Sequence, residues 1–204
     1  MIEYLFSSPL FFLVWAVSLL IAITIHEAAH AFAADRLGDP TPRAQGRLTL
    51  NPLAHLDPLG TIMMLMFRFG WGKPVQYDPY NLKNPTTDGA IISLAGPASN
   101  LILAFIISLI IRLFPGTNLI SIFFPVIALN VGLAIFNLVP VHPLDGAKIV
   151  AGLLPRDLSF EWQDFSAKYG TFILLLLILP VTGSSPIISL ISPITEGLVR
   201  LLLP

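Results

Sequence analysis

Four long stretches of this chain have almost no formal charge. Leu10 to Ala34 holds one charged residue, Glu27, while Gly89 to Ile111, Leu119 to Val141 and Tyr169 to Thr195 hold none. A helix crossing the hydrocarbon core of a bilayer needs about 20 predominantly apolar residues, and each stretch is long enough. Soluble globular chains carry about 25% charged residues; this one carries 11%, with 55% hydrophobic residues and a mean hydropathy of +0.81. The sequence therefore predicts an all-α polytopic membrane protein. At 204 residues it is expected to be a single domain, 1–204, forming one compact bundle of four to five transmembrane helices in the lipid bilayer.

The expected spans run about 9–37, 89–111, 119–139 and 169–182, and the stretch 187–203 is left open as a fifth. Pro9 at the start and Gly38-Asp39-Pro40-Thr41-Pro42 at the end bracket the first span. Between Asp35 and Asp88 lie Arg36, Arg43, Arg47, Arg68, Lys73 and Lys83, six of the eleven basic residues. By the positive-inside rule this loop is cytoplasmic, and Lys148, Arg156 and Lys168 give the same side for the segment after the third span. Inside the first loop, Leu59 to Phe67 is apolar but too short to cross, so a re-entrant or interfacial segment is expected. Gly70 to Gln76 (GWGKPVQ) reads as a short edge strand between the first and second spans. The N-terminus, Met-Ile-Glu-Tyr, has no basic region, so the first span is expected to stay in the mature protein rather than be cleaved as a signal peptide.

Net charge is −1 and no basic face suggests nucleic acid. With no cysteine, thiolate ligands, cysteine nucleophiles and disulfides are all excluded. A metal site would have to use histidine and carboxylate. His26-Glu27-Ala28-Ala29-His30 matches H-E-x-x-H inside the first apolar span. On a helix, residues i and i+4 share a face, so both imidazoles can reach one metal, while Glu27, about 100° round, can address a water there. An ionisable group at membrane depth costs at least about 2.5 kcal/mol and marks function by default. No basic residue lies within Leu10 to Ala34 to neutralise Glu27, which favours a metal over a chance pentapeptide.

A catalytic zinc takes three protein ligands and leaves one position for water. Asp145, in Pro143-Leu144-Asp145-Gly146 directly after the third span, is the leading candidate for the third. Pro140, Pro143 and Gly146 break regular helix around it, as a cavity lining at membrane depth tolerates. The competing reading makes Asp145 the N-cap of a helix from Gly146 to Leu154. His142 and His55 are rival ligands, read as surface or supporting histidines, and Asp35, Arg36, Asp57 and Asp78 read as solvated loop groups.

These residues resemble the site-2 protease family of intramembrane zinc metalloproteases. The match takes in HEAAH at His26 to His30, the loop from Gly38 to Gly60, Lys73-Pro74-Val75, AGPASN at Ala95 to Asn100 and FNLVPVHPLDG at Phe136 to Gly146. Together these cover most of residues 22–150. Ala147 departs from the pattern, where a second glycine is common, and the chain is similar to compact forms without a PDZ or CBS domain. The resemblance implies one zinc per chain on His26, His30 and Asp145, with Glu27 as catalytic base. It also implies that Asn137 holds the substrate or the developing oxyanion, and that Gly96 and Asn100 serve close helix packing and a polar contact. A multi-pass protein in a prokaryotic plasma membrane is implied, with its active site toward the cytoplasm. The expected activity is hydrolysis of peptide bonds in or near transmembrane helices of membrane-protein substrates, held extended by addition to the GWGKPVQ strand. A non-proteolytic membrane binding or chaperone relative is the alternative, and a metal transporter a more distant one.

Overall fold

The computed structural model describes residues 7–67, 70–115, 118–180 and 185–203, with backbone alone at 64–67. The described residues form helices joined by turns and one long loop. Three of these helices are long and apolar enough to cross a membrane: α1 (Pro9–Arg36), and, after two short helices, α2 (Thr41–Ala44) and α3 (Pro58–Phe67), the spans α4 (Pro85–Leu113) and α5 (Leu119–Asn137). The chain then forms α6 (Asp145–Leu153), α7 (Arg156–Ile178) and α8 (Pro186–Leu202). The protein is thus a compact, polytopic, all-helical membrane protein. Large apolar side chains such as Leu13, Val17, Leu94, Ile102, Phe105 and Ile122 point outward, as a lipid-facing surface requires and a water-facing one would not tolerate in such density.

The expected four to five spans resolve into three of full length and two shorter helices. α7 begins at Arg156, well before the expected 169–182, and its first half carries Asp157, Glu161, Asp164 and Lys168. Only Tyr169 to Ile178 is uncharged, about 15 Å of helix at 1.5 Å per residue and half the thickness of the hydrocarbon core. Residues 181–184 of that expected span lie outside the described residues. α8 has 17 residues with the exposed pair Glu196–Arg200 near its end. α3, ten residues long, falls where the re-entrant or interfacial segment is expected. The expected edge strand is reduced to one antiparallel bridge, Leu56 to Gly72, beside the Lys73 amide to His55 carbonyl bond of 2.8 Å. The segment is extended, but Pro74 removes a ladder donor, and no strand lies beside it among the described residues.

α4 is the central element, packed against α1, α5 and α6, and α8 closes against α5. Ala104, Ile107 and Ile111 of α4 meet Val126, Ile127 and Val131 of α5 and Val199 of α8 in the main apolar cluster. The charged half of α7 backs α6 through Trp162 Nε1 to Ala147 O at 2.8 Å and Ser159 Oγ to Ala151 O at 2.7 Å.

Local chemistry fixes the ends of the long loop. α1 stops in a Schellman turn: Gly38 takes a left-handed φ of 108°, its amide reaches Asp35 O, and the Asp39 amide reaches Ala34 O. The Asp39 carboxylate is fully buried and accepts Thr41 Oγ1 at 2.6 Å, Thr41 N at 3.1 Å, Asp78 N at 2.8 Å and Asn81 Nδ2 at 2.8 Å. Burial alone would raise its pKa; the bonds from Thr41, Asn81 and Asp78 outweigh it and hold the carboxyl below the usual range. One side chain thereby joins the loop's start to its end. The other loop carboxylates are also engaged: Asp35 with Arg43 at 2.7 Å, Asp57 with the Gly60 amide and Asp78 with the Tyr80 amide.

Candidate metal centre

On α1, His26 and His30 lie one turn apart with their rings nearly perpendicular, centroids 4.6 Å apart. Both are buried, 4% and 8% exposed. Asp145 enters from the first turn of α6. The helix N-cap is Leu144 and no side chain caps it, so Asp145 is not the cap; its Oδ2 lies 3.1 Å from His26 Nε2 and 3.3 Å from His30 Nε2. The two Nε2 atoms are 3.0 Å apart. Three ligand atoms about 2.0–2.1 Å from a tetrahedral zinc stand about 3.3 Å from one another. Among the described residues, these three form the cluster of histidine and acidic groups with metal-holding geometry.

The hydrogen bonds behind the imidazoles decide what this triangle can hold. Asn100, fully buried on α4, donates its Nδ2 to Ala22 O at 2.9 Å and to Asn130 Oδ1 at 2.7 Å, which orients its amide. Its Oδ1 must then accept from His26 Nδ1, at 2.7 Å. His30 Nδ1 likewise meets a carbonyl, Ile92 O at 2.7 Å. Both Nδ1 atoms therefore carry the proton in the neutral rings, and both Nε2 atoms turn lone pairs toward Asp145. Three acceptors within 3.3 Å, with no donor among them, repel unless a cation sits between; the donor set of two imidazoles and a carboxylate suits zinc.

Glycine makes the approach possible. A Cβ at Gly96 of α4 would press on His30 Nε2 and lie 2.7 Å from His26 Cε1. A Cβ at Gly146 would collide with Leu138 and Val139 carbonyls, so Gly146 lets α6 start hard against the end of α5 and sets Asp145 over the histidines. Asn130, on α5, completes the network by donating to Val126 O at 2.8 Å. Asn100→Ala should weaken zinc binding about 10–100-fold, the usual cost of losing a group that orients a ligand, with unfolding still cooperative; competition against a fluorescent zinc chelator in detergent measures it.

Glu27 lies on the wall of a cavity of about 410 Å³ that also contains His26, His30 and Asp145. Its Oε2 accepts the Val75 amide at 3.0 Å, so the extended 70–76 segment runs beside it, admitted by Gly72, where a Cβ would meet Ile23 Cγ2 at 2.9 Å. Asn137 lines the same cavity. One of its two amide protons goes to Leu133 O at 3.0 Å, and among the described residues no partner takes the second. His142 and His55 stand apart. His142 packs against Gly170 and borders a second cavity, where burial and then the charge of Lys148 hold its pKa below the ordinary value. His55 is fully buried in the loop and bonds Thr49 O at 2.8 Å.

The sequence reading missed two residues. Asn130 had a signal, an amide in an uncharged span. Arg47 had none in its surroundings; it is 3% exposed and lies 3.7 Å from Glu27 Oε2, so the carboxylate with no basic residue within Leu10 to Ala34 pairs with one on the loop.

The model of "Peptidase family M50" matches residues 115–177, which include Asn137 and Asp145. YwhC of Bacillus subtilis, classed by name among zinc metalloproteases, is 40% identical over 178 residues, 82% of this chain and 81% of that protein. Rip2 of Mycolicibacterium smegmatis, named likewise, is 33% identical over 78% of this chain and 64% of its own. MJ0611 of Methanocaldococcus jannaschii, also so named, is 30% identical over 73% and 77%. No solved structure matches the chain.

Proposed function

Because this chain belongs to peptidase family M50, the site-2 proteases, we propose that it hydrolyses peptide bonds within or beside the transmembrane helices of membrane-protein substrates. The observation that carries the reading is the convergence of the three ligand atoms of His26, His30 and Asp145, both Nδ1 protons already committed, in one cavity with the Glu27 carboxylate. These three residues would hold one zinc per chain. When bound, the metal supplies the Lewis acidity that brings a water's pKa toward 7 and polarises a carbonyl.

The chain's own groups do the rest. Glu27, with Oε2 held by the Val75 amide, takes the proton from the attacking water and returns it to the departing amine. Asn137 offers its second amide proton to the scissile carbonyl as negative charge grows on the oxygen. The extended backbone at Gly70 to Gln76 forms one wall, against which an unwound stretch of substrate lies. A substrate helix must unwind there, since its carbonyls are bonded within the helix. The positive-inside pattern supports a site open toward the cytoplasm, in the plasma membrane of a prokaryote.

The protein purified in detergent should contain one zinc per chain and cleave a single-span model substrate. Removing the metal with 1,10-phenanthroline should stop cleavage, and zinc added after the chelator is dialysed away should restore it. Cleavage that continues in metal-free protein would exclude a metalloprotease.

A further inference from the structure

Arg47 follows α2, in the loop, and its guanidinium is almost wholly withdrawn from solvent. Burying a cation is unfavourable unless its charge and its donors are both matched. Nη1 donates to Ala54 O at 2.5 Å, Nη2 donates to Lys73 O, and Nη2 is 3.7 Å from Glu27 Oε2, while the buried Nε has no hydrogen-bond partner among the described residues. Among the described residues, Glu27 is the carboxylate paired with it. The same Oε2 accepts the amide of Val75, two residues beyond Lys73. A closed ring results, running from Arg47 through the Lys73 carbonyl and the Val75 amide to Glu27 and back.

A loop strut alone would need two donors and no charge. The charge answers to Glu27, and the planar fork lets one side chain grip two backbone carbonyls, which an ammonium on a single point does not do. We propose that Arg47 is a positioning residue for hydrolysis: together with the Val75 amide it fixes the Glu27 carboxylate on the cavity wall, and through Lys73 it locks the substrate-facing segment to that carboxylate. This rests on the reading of Glu27 as the base. Base and substrate wall then move as one unit, so their relative placement survives motion of the rest of the loop.

The full chain in detergent tests this with Arg47→Gln, which keeps a donor and loses the charge, and Arg47→Lys, which keeps the charge and loses the fork. Arg47→Gln should keep one zinc per chain and hold KM within about threefold of wild type while kcat falls at least tenfold; Arg47→Lys should recover part of the loss. Thermal unfolding supplies a readout independent of cleavage: Glu27→Gln and Arg47→Gln together should lower Tm by less than the sum of the two single shifts, because neither charge is then buried alone. Wild-type kcat in folded, zinc-loaded Arg47→Gln, or Tm shifts that simply add, would overturn the proposal. If Arg47→Gln is too unstable to purify, Val75→Pro, which deletes the other group holding Glu27, must show the same kcat loss, and wild-type kcat there overturns it equally. If the wild type cleaves nothing, the assignment of the base fails, while the Tm coupling still reports on the ring.

Discussion

Glu27→Gln should leave zinc at one per chain and reduce cleavage of a single-span substrate by about 10³-fold, within the range that a positioned general base contributes. The exchange is nearly isosteric, and the amide oxygen of glutamine can still accept from Val75, so the wall of the cavity is kept. The charge facing Arg47 is lost, which should lower Tm without preventing folding. The three ligand side chains are untouched, while the proton acceptor disappears. Zinc analysis and cleavage rates on the same preparation check the result, and a rate within tenfold of wild type at full zinc would remove Glu27 from the role of base.

Asp145→Ala should act on the other half of the site. Without the carboxylate, two imidazoles remain, one ligand short of a catalytic zinc set. Zinc per chain should fall to a small fraction of the wild-type value and cleavage by at least about 10³-fold, as expected when metal affinity itself is lost. The two variants are separable on one measurement, since Glu27→Gln keeps its metal and Asp145→Ala does not. Full zinc in Asp145→Ala would place the third ligand elsewhere, with His142 the first suspect. The structure sets His142 against Gly170 at the other cavity, so His142→Ala is the matched control and should retain both zinc and rate.

The parts legible in the sequence are those whose signal is local. Spacing i, i+4 on a helix brings His26 and His30 together without help from the rest of the chain, and long uncharged runs announce α1, α4 and α5. Asp145 is 115 residues beyond His30, yet the broken helix around it pointed to a cavity lining. Arg47 could not be found this way: what makes it important is the meeting of the 52–56 turn, the 70–76 segment and α1, a tertiary event with no periodicity. The edge strand is not seen for a related reason, because a strand is defined by its neighbour, and among the described residues Gly72 finds a single bridge, to Leu56. α7 begins at Arg156, ahead of the expected span, because five charged residues share one helix with the apolar half that the hydropathy pattern detects.

The bare backbone at Gly96 bears on how such centres are recognised and built. Both imidazoles rest on a patch of α4 where one extra carbon would occupy their space. The pentapeptide is therefore only half of a two-part specification, and the other half is an empty volume on the facing helix. Grafting His-Glu-x-x-His onto an arbitrary helix pair would supply ligands and no room for them to converge. A designer, or a search through uncharacterised membrane chains, should ask for the motif together with a glycine on the opposing span and an amide one turn later, the place Asn100 holds here.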